Sequence, residues 1–317
     1  MPRARAIVRR RKSVRNIRKI TRTMQMVATV KFQRALRHAA SIKNYAVKLR
    51  ELITDLSQSV EDLELPLLRQ RQAPAGRSVI LIISSNRGLA GAYNANVLRT
   101  ALAAMQTMQQ AGQAVELHTV GRKAAASLNF KGIPIARRYS GLADQPPFAE
   151  VAKIGQSFMD RFEAGELDLV QIAYTNFITA SNQRPEMMTL LPLAPVADIA
   201  AQLSRQAGEQ HAPAVARGLA DEAVSSHPPA RPIAYDFSPS PREILEDLLP
   251  QAVKMLLFQC FLDATTSENV ARMVAMKSAT DSADKMIKAL TMRYNRARQS
   301  QITTELSEIM GAVEAMR

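Results

Sequence analysis

From Phe32 onward, apolar residues step alternately by three and four: Phe32, Ala35, Ala39, Ile42, Ala46, Leu49, Ile53, Leu56, Val60 and Leu63. Sustained over that length, the spacing predicts one long helix carrying a coiled-coil seam. Ile17, Ile20, Met24 and Val27 precede it with the same spacing in a different phase. The stripe is therefore expected to rotate around the helix between Val27 and Phe32. Pro66 and the stretch RQAPAG end the helical pattern.

The other end of the chain repeats the theme. Met273, Met276, Thr280, Ala283, Ile287, Leu290, Tyr294 and Ala297 form one seam, and Ile302, Leu306, Ile309, Val313 and Met316 form a second. No glycine interrupts this helix before Gly311. Pro239 and Pro241 precede it, and Pro250 is expected to kink it or start it afresh. Some sixty residues in each terminal helix would reach about 90–100 Å. A helix of that length needs a helical partner, and the two ends of the chain are the obvious partners for each other.

Between them the pattern changes. Ser78–Ser85 (SVILIISS) is a continuous apolar run rich in β-branched residues, which predicts a strand buried on both faces. A helix over Ala95–Ala111, a strand over Val115–Val120 and a helix from Arg122 follow. A strand near Ile135–Tyr139, a helix over Phe148–Ala164 and a strand over Leu167–Thr175 complete an alternation that argues a mainly parallel sheet. From Ala197 to Pro232 the chain mixes Ala, Gln, Gly, Ser and Pro with weak periodicity, the composition of a mobile insert. The expected organisation is a helix over 1–65, an α/β domain over 77–195, an insert or linker over 196–240 and a second helix over 241–317.

Charge changes the picture. The chain of 317 residues carries a formal net charge of +14, and no carboxylate side chain occurs before Glu51. So one-sided an excess predicts a negatively charged partner. No stretch of eighteen or more apolar residues exists, so no membrane-spanning helix is expected. The opening MPRARAIVRRRKSV lacks the apolar core of a secretory signal and runs straight into the helical pattern. Cys260 is the sole cysteine and excludes an internal disulfide; its setting, KMLLFQCFL, is that of a buried hydrophobe.

The candidate chemistry is thin. Ser84–Asn94 (SSNRGLAGAYN) sits where a strand-to-helix loop should be, yet it has neither G-x-G-x-x-G nor the G-K-[ST] ending of a phosphate loop. It reads as a turn with a helix cap. His38, His118, His211 and His227 fall in unrelated contexts, with no metal-ligand spacing. No catalytic, metal or cofactor site is expected.

Four blocks carry a resemblance. SVRNIRKITRTMQMVATVKFQRA (Ser13–Ala35), the Ser84–Asn94 loop, SENVARMVAMKSATDSADKMI (Ser267–Ile287) and YNRARQSQITTELSEIMGA (Tyr294–Ala312) are similar to the ATP synthase gamma family, in that family's order. The resemblance spans the chain and is weakest over 195–235. It implies an antiparallel coiled coil of the two termini with an α/β domain attached. It implies a non-catalytic rotor, one per complex, that threads a hexamer of alternating alpha and beta subunits and meets the epsilon subunit and the membrane c-ring. A peripheral position on the cytoplasmic face of a bacterial plasma membrane follows from the same likeness. By motif position, Met24 matches a residue facing the beta-subunit hinge loop, while Arg272, Arg298, Gln299, Thr303 and Glu305 match residues meeting its catch loops. Ile17, Asn86, Ala90 and Ala92 stand where the family usually has threonine, an acidic residue, cysteine and glycine, and an asparagine often found near Ser282 is missing. The insert has no cysteine pair of the kind found in chloroplast relatives.

The competing class is a nucleic-acid-binding coiled coil, suggested by the basic first helix. The mixed charge of the C-terminal helix argues against it.

Overall fold

The computed structural model describes residues 2–58, 67, 76–142, 146–193 and 240–316. The expected insert lies outside these up to residue 239, as do Val60 and Leu63 of the first seam and Pro66. The chain divides into two compact units, residues 32–269 and residues 1–31 with 270–317. Two long helices, α1 (Pro2–Gln58) and α5 (Pro241–Ala315), each contribute to both units.

Residues 32–269 contain a five-stranded sheet in the order β3-β2-β1-β4-β5. Its strands are β1 (Arg77–Ile83), β2 (Ala114–Val120), β3 (Arg137–Tyr139), β4 (Leu169–Phe177) and β5 (Gln183–Leu191). The first four pair in parallel, as the alternation of elements requires, and β5 runs antiparallel to β4 at the edge. The mainly parallel sheet is thus present, with β5 as an addition the sequence reading lacked. Pro185 interrupts that segment, and a proline in a strand is tolerated only where an edge leaves its missing N–H unneeded.

Successive residues of β1 point to opposite faces and are buried on both. Ile80 and Ile82 pack with Val97, Leu98 and Ala101 of α2 (Tyr93–Gln110) and with Ala124 and Leu128 of α3 (Arg122–Phe130). Val79, Leu81 and Ile83 belong to the larger cluster, with Val151, Phe158 and Phe162 of α4 (Phe148–Glu163), Leu49 and Leu56 of α1, and Leu249 to Ala264 of α5. From Met255 to Ala264 every residue of α5 is buried, the polar Gln259 and Asp263 included, as in a helix covered on all sides.

Helix α5 starts where Ser240 Oγ accepts the Glu243 N–H at 3.2 Å, with Pro241 as its first residue and Glu243 in its first turn. Of the two expectations for Pro250, a fresh start is not met: the helix runs on through that position. An internal proline costs about 3 kcal/mol. The buried Leu249, Ala252, Val253 and Leu256 around it supply packing that holds the helix in spite of that cost.

Candidate partner-contact surface

In the unit of residues 1–31 and 270–317, the two helices pair side by side. The Arg11 guanidinium lies over the Tyr294 ring at 5.1 Å, Arg18 bridges to Asp284 at 3.0 Å, and the Thr21 and Thr280 hydroxyls meet at 2.8 Å. Partner numbers fall as the α1 numbers rise, so the pair is antiparallel. Val14, Ala283 and Leu290 form its buried core, flanked by Ile7 and Ile287.

The phase of the α1 seam differs from the sequence reading. Val14, Thr21, Ala28 and Ala35 are buried, each seven residues after the last, while Ile17, Ile20 and Val27 are 52%, 59% and 51% exposed. The seam does not rotate between Val27 and Phe32. It continues in the phase of Ala35 and Ala39 back to Val14, through positions that are small or polar. The large aliphatic residues face outward instead, together with Met26 and Val30. Met24 is half-buried at the margin between the two.

On α5 the first expected seam holds: Met276, Thr280, Ala283 and Leu290 are buried. The second does not. Ile302, Leu306, Ile309, Val313 and Met316 are all exposed, and so is Met310. The register explains this. With Arg11 beside Tyr294, the first residue of α1 stands level with about residue 303 of α5. Beyond that level α5 has no helix to pair with among the described residues. Its apolar positions there are exposed among the described residues.

The same unit is strongly basic. Arg5, Arg9, Arg10, Lys12, Arg15, Lys19 and Arg22 are exposed along α1, interleaved with the outward aliphatic residues. Of the residues singled out by motif, Arg298, Gln299, Thr303 and Glu305 are exposed within about two turns of α5. Thr303 Oγ1 donates to the Gln299 carbonyl at 3.0 Å, and Glu305 accepts from Gln301 Nε2 at 2.9 Å. Arg272 is half-buried about 39 Å earlier on the same helix. Met24 lies about one to two turns from the level of Arg272, so the six residues form two groups at different heights. The outward aliphatic residues were missed as contact candidates. Their three-four spacing looked like a seam, and only the position of the partner helix tells inside from outside.

In the larger unit the Ser84–Asn94 loop spends its polar groups on itself and on neighbouring backbone. Ser85 N donates to Asn94 Oδ1 at 3.0 Å, Ser85 Oγ donates to the Arg87 carbonyl, and Asn86 Nδ2 donates to the Leu142 carbonyl at 3.0 Å. Ser84 Oγ accepts the Ala124 N–H at 3.1 Å and the Ser85 carbonyl accepts that of Lys123 at 3.1 Å, so this loop caps α3. Gly121 is required there, because its φ is 87° and a Cβ would overlap the Ser84 carbonyl. The loop forms the expected turn, but it caps α3, whereas α2, the helix that follows it, has no side-chain cap bond at Ala92.

Cys260 is wholly buried, its Sγ 3.7 Å from Met188 Sδ, and burial pushes its thiol up. Burial also pushes the Asp263 carboxyl well above the usual carboxylate range. His118 is pulled down by burial, against the pull of Glu116, whose carboxylate lies 3.5 Å from Nε2. No group of three or more His, Cys, Asp or Glu side chains is placed to hold a metal among the described residues, and no described helix is long and apolar enough to cross a membrane.

Comparison with known proteins bears on the whole chain. A family model described as ATP synthase matches residues 3–316. The ATP synthase gamma chain of Rhodopirellula baltica is 40% identical over 316 residues, covering 100% of this chain and 99% of its own. That of Leptospira biflexa is 36% identical over 312 residues, covering 98% of each. Among solved structures, a chain of the Euglena gracilis mitochondrial ATP synthase (OSCP/F1/c-ring) aligns with a TM-score of 0.60 at 17% identity, over 99% of this chain and 95% of that one. A chain of the Tetrahymena thermophila mitochondrial ATP synthase central stalk and c-ring aligns with a TM-score of 0.52 at 19% identity, over 82% and 99%. These two share the fold.

Proposed function

The chain belongs to the ATP synthase gamma family, and from that premise we propose that it is the central-stalk rotor that couples ion flow to ATP turnover by rotating inside the catalytic hexamer. It performs no bond chemistry itself. Its partners are the alternating alpha and beta subunits, epsilon and the membrane c-ring, and it is held peripherally at the cytoplasmic face of the membrane through that complex.

One observation carries the reading: the helix pair buries a thin seam of Val14, Thr21, Thr280, Ala283 and Leu290 and leaves a second set of large aliphatic residues outside it. Ile17, Ile20, Val27, Ile302, Leu306 and Ile309 would be an aggregation liability on a free rod. On a shaft turning in a sleeve they give a slippery, uncommitted contact. A nucleic-acid clamp would need the reverse, an outer surface of cations without aliphatic interruption. Rotation then works by differential contact, since an asymmetric rod stabilises different states in three otherwise identical sites.

Met24 is proposed to face a moving beta-subunit loop, and Arg272, Arg298, Gln299, Thr303 and Glu305 are proposed to meet others. A flexible, uncharged side chain passes a moving loop without a strong bond. Arginine forks, amides and hydroxyls form directional bonds that break and re-form at defined angles. The test is ion pumping per ATP hydrolysed in vesicles holding the reconstituted complex. Met24→Lys should lower that ratio while hydrolysis persists, and Met24→Leu should leave it near the original value. Equal losses in both variants would mean that Met24 only packs. No loss with lysine would remove it from the contact surface.

A further inference from the structure

Beyond the C-terminal ends of β1, β2 and β3 lies an open cleft of about 660 Å³, a size typical of small-molecule sites. Three arginines line it: Arg87 from the loop after β1, Arg122 from the start of α3 and Arg138 from β3. No carboxylate does so among the described residues. Thr119 of β2 also lines it. This side chain is 1% exposed, and its Oγ1 has no hydrogen-bond partner among the described residues. An orphaned buried hydroxyl is costly, and its presence beside a cationic cleft points to an acceptor supplied from outside.

In open parallel sheets, ligands favour the crevice at the carboxyl ends of the strands, where the strand order reverses. Here that reversal falls between β1 and β4. At the ends of β1 and β2, on the side covered by α5, the space is only about 20 Å³, hemmed in by Phe261, Ala264, Thr265 and Glu268. The larger cleft lies aside from that reversal, at the ends of β1, β2 and β3. The first amides of α3 are already occupied by Ser84 and Ser85. Recognition thus falls to the arginine side chains and Thr119 rather than to a glycine-rich backbone cradle, which is why no sequence motif marks the place. Arg138 is braced from one side by Asn129 Oδ1 at 2.7 Å, leaving its remaining donors available.

We propose that this cleft binds a small phosphate-bearing anion of nucleotide size. Its phosphate would lie among Arg122, Arg138 and the Thr119 hydroxyl, with the remainder against Ala125, Ala126 and Leu142. Two or more guanidinium groups suit a phosphate better than a single carboxylate because each offers paired donors. The proposal is independent of the rotor reading, since the cleft lies wholly within residues 86–142.

Calorimetric titration of the full-length chain with ADP and with inorganic pyrophosphate tests it. Saturable one-to-one binding is expected. Arg122→Gln and Thr119→Val should each weaken it about tenfold. Thr119→Val should melt no lower than the parent, since valine removes the orphaned hydroxyl without changing shape. ADP binding tighter than pyrophosphate would support a nucleotide as the ligand. Equal binding would support the phosphate part alone as the determinant. A polyglutamate peptide that binds equally well, with the same sensitivity to Arg122→Gln, would overturn the proposal in favour of a general cationic patch. So would failure of both phosphate probes to saturate by about 10 mM, an affinity too weak to count as a site.

Discussion

The hydroxyls of Thr21 and Thr280 meet at 2.8 Å across the antiparallel helix pair, and each also lies within reach of its own helix, at the Arg18 and Met276 carbonyls. Two hydroxyl protons are shared among three possible hydrogen bonds, so one of the three is unmade at any moment. Replacing either residue by valine should cost about 0.5–1.5 kcal/mol, because the survivor keeps its backbone acceptor. Replacing both should cost less than the sum, since an apolar pair leaves no donor unsatisfied. Urea unfolding of the two single variants and the double variant measures this. Strict additivity would mean that the contact contributes nothing across the seam.

Much of this architecture was legible in the residues, and the misses share one cause. The β-branched run at Val79–Ile83 announced a buried strand, and the three-four spacing announced both long helices. Spacing alone, however, does not say which of two stripes meets the partner. Thr21 and Ala28 are inside and Ile17, Ile20 and Val27 outside, because Thr280 and Ala283 approach from that side. On the proposed rotor reading, the outer stripe is apolar because a partner passes over it. Likewise β5 was hidden by Pro185, which edge placement makes harmless. The arginine-lined cleft joins residues from three separate strand ends, so no contiguous motif could have shown it.

The basic face of α1 leads to a second expectation. Arg5, Arg9, Arg10, Arg15, Lys19 and Arg22 are exposed, and exposed ion pairs contribute little singly and are screened by salt. Changing any one to glutamine should shift assembly with the alpha and beta subunits by less than about fivefold. Changing four together should make assembly markedly more salt-sensitive. Native gel titration across ionic strength reads this, and abolition of assembly by a single change that leaves the fold intact would contradict a distributed track.

Asp263 gives a prediction in pH. Burial raises its folded pKa, while Gln259 Nε2, 3.4 Å from Oδ1, and the nearby Glu186 charge pull in opposite directions. The folded chain thus keeps a proton that the unfolded chain releases above about pH 4. Stability from this group is present at low pH and declines as pH rises from there to the folded value. Asp263→Asn, which keeps the shape and the Oδ1 acceptor, should raise the melting temperature at pH 8 and lose that advantage toward pH 4.5. A gain independent of pH would assign the effect to packing instead.

The end of α5 offers the sharpest test of an external sleeve. Ile309 and Val313 are 61% and 58% exposed, so in the isolated chain they contribute little to stability. Serine at either position should leave unfolding of the free chain within about 0.5 kcal/mol of the parent. If a partner encloses the tip, each substitution removes burial of a large apolar side chain, about 1.5–3 kcal/mol or roughly 10- to 100-fold in assembly affinity. Glu308→Gln, on the same helix but polar already, serves as the control and should assemble as the parent does. Two serine variants that fold, assemble and turn over ATP like the parent would show that the tip stays in water throughout the cycle. The outward aliphatic stripe would then need another explanation.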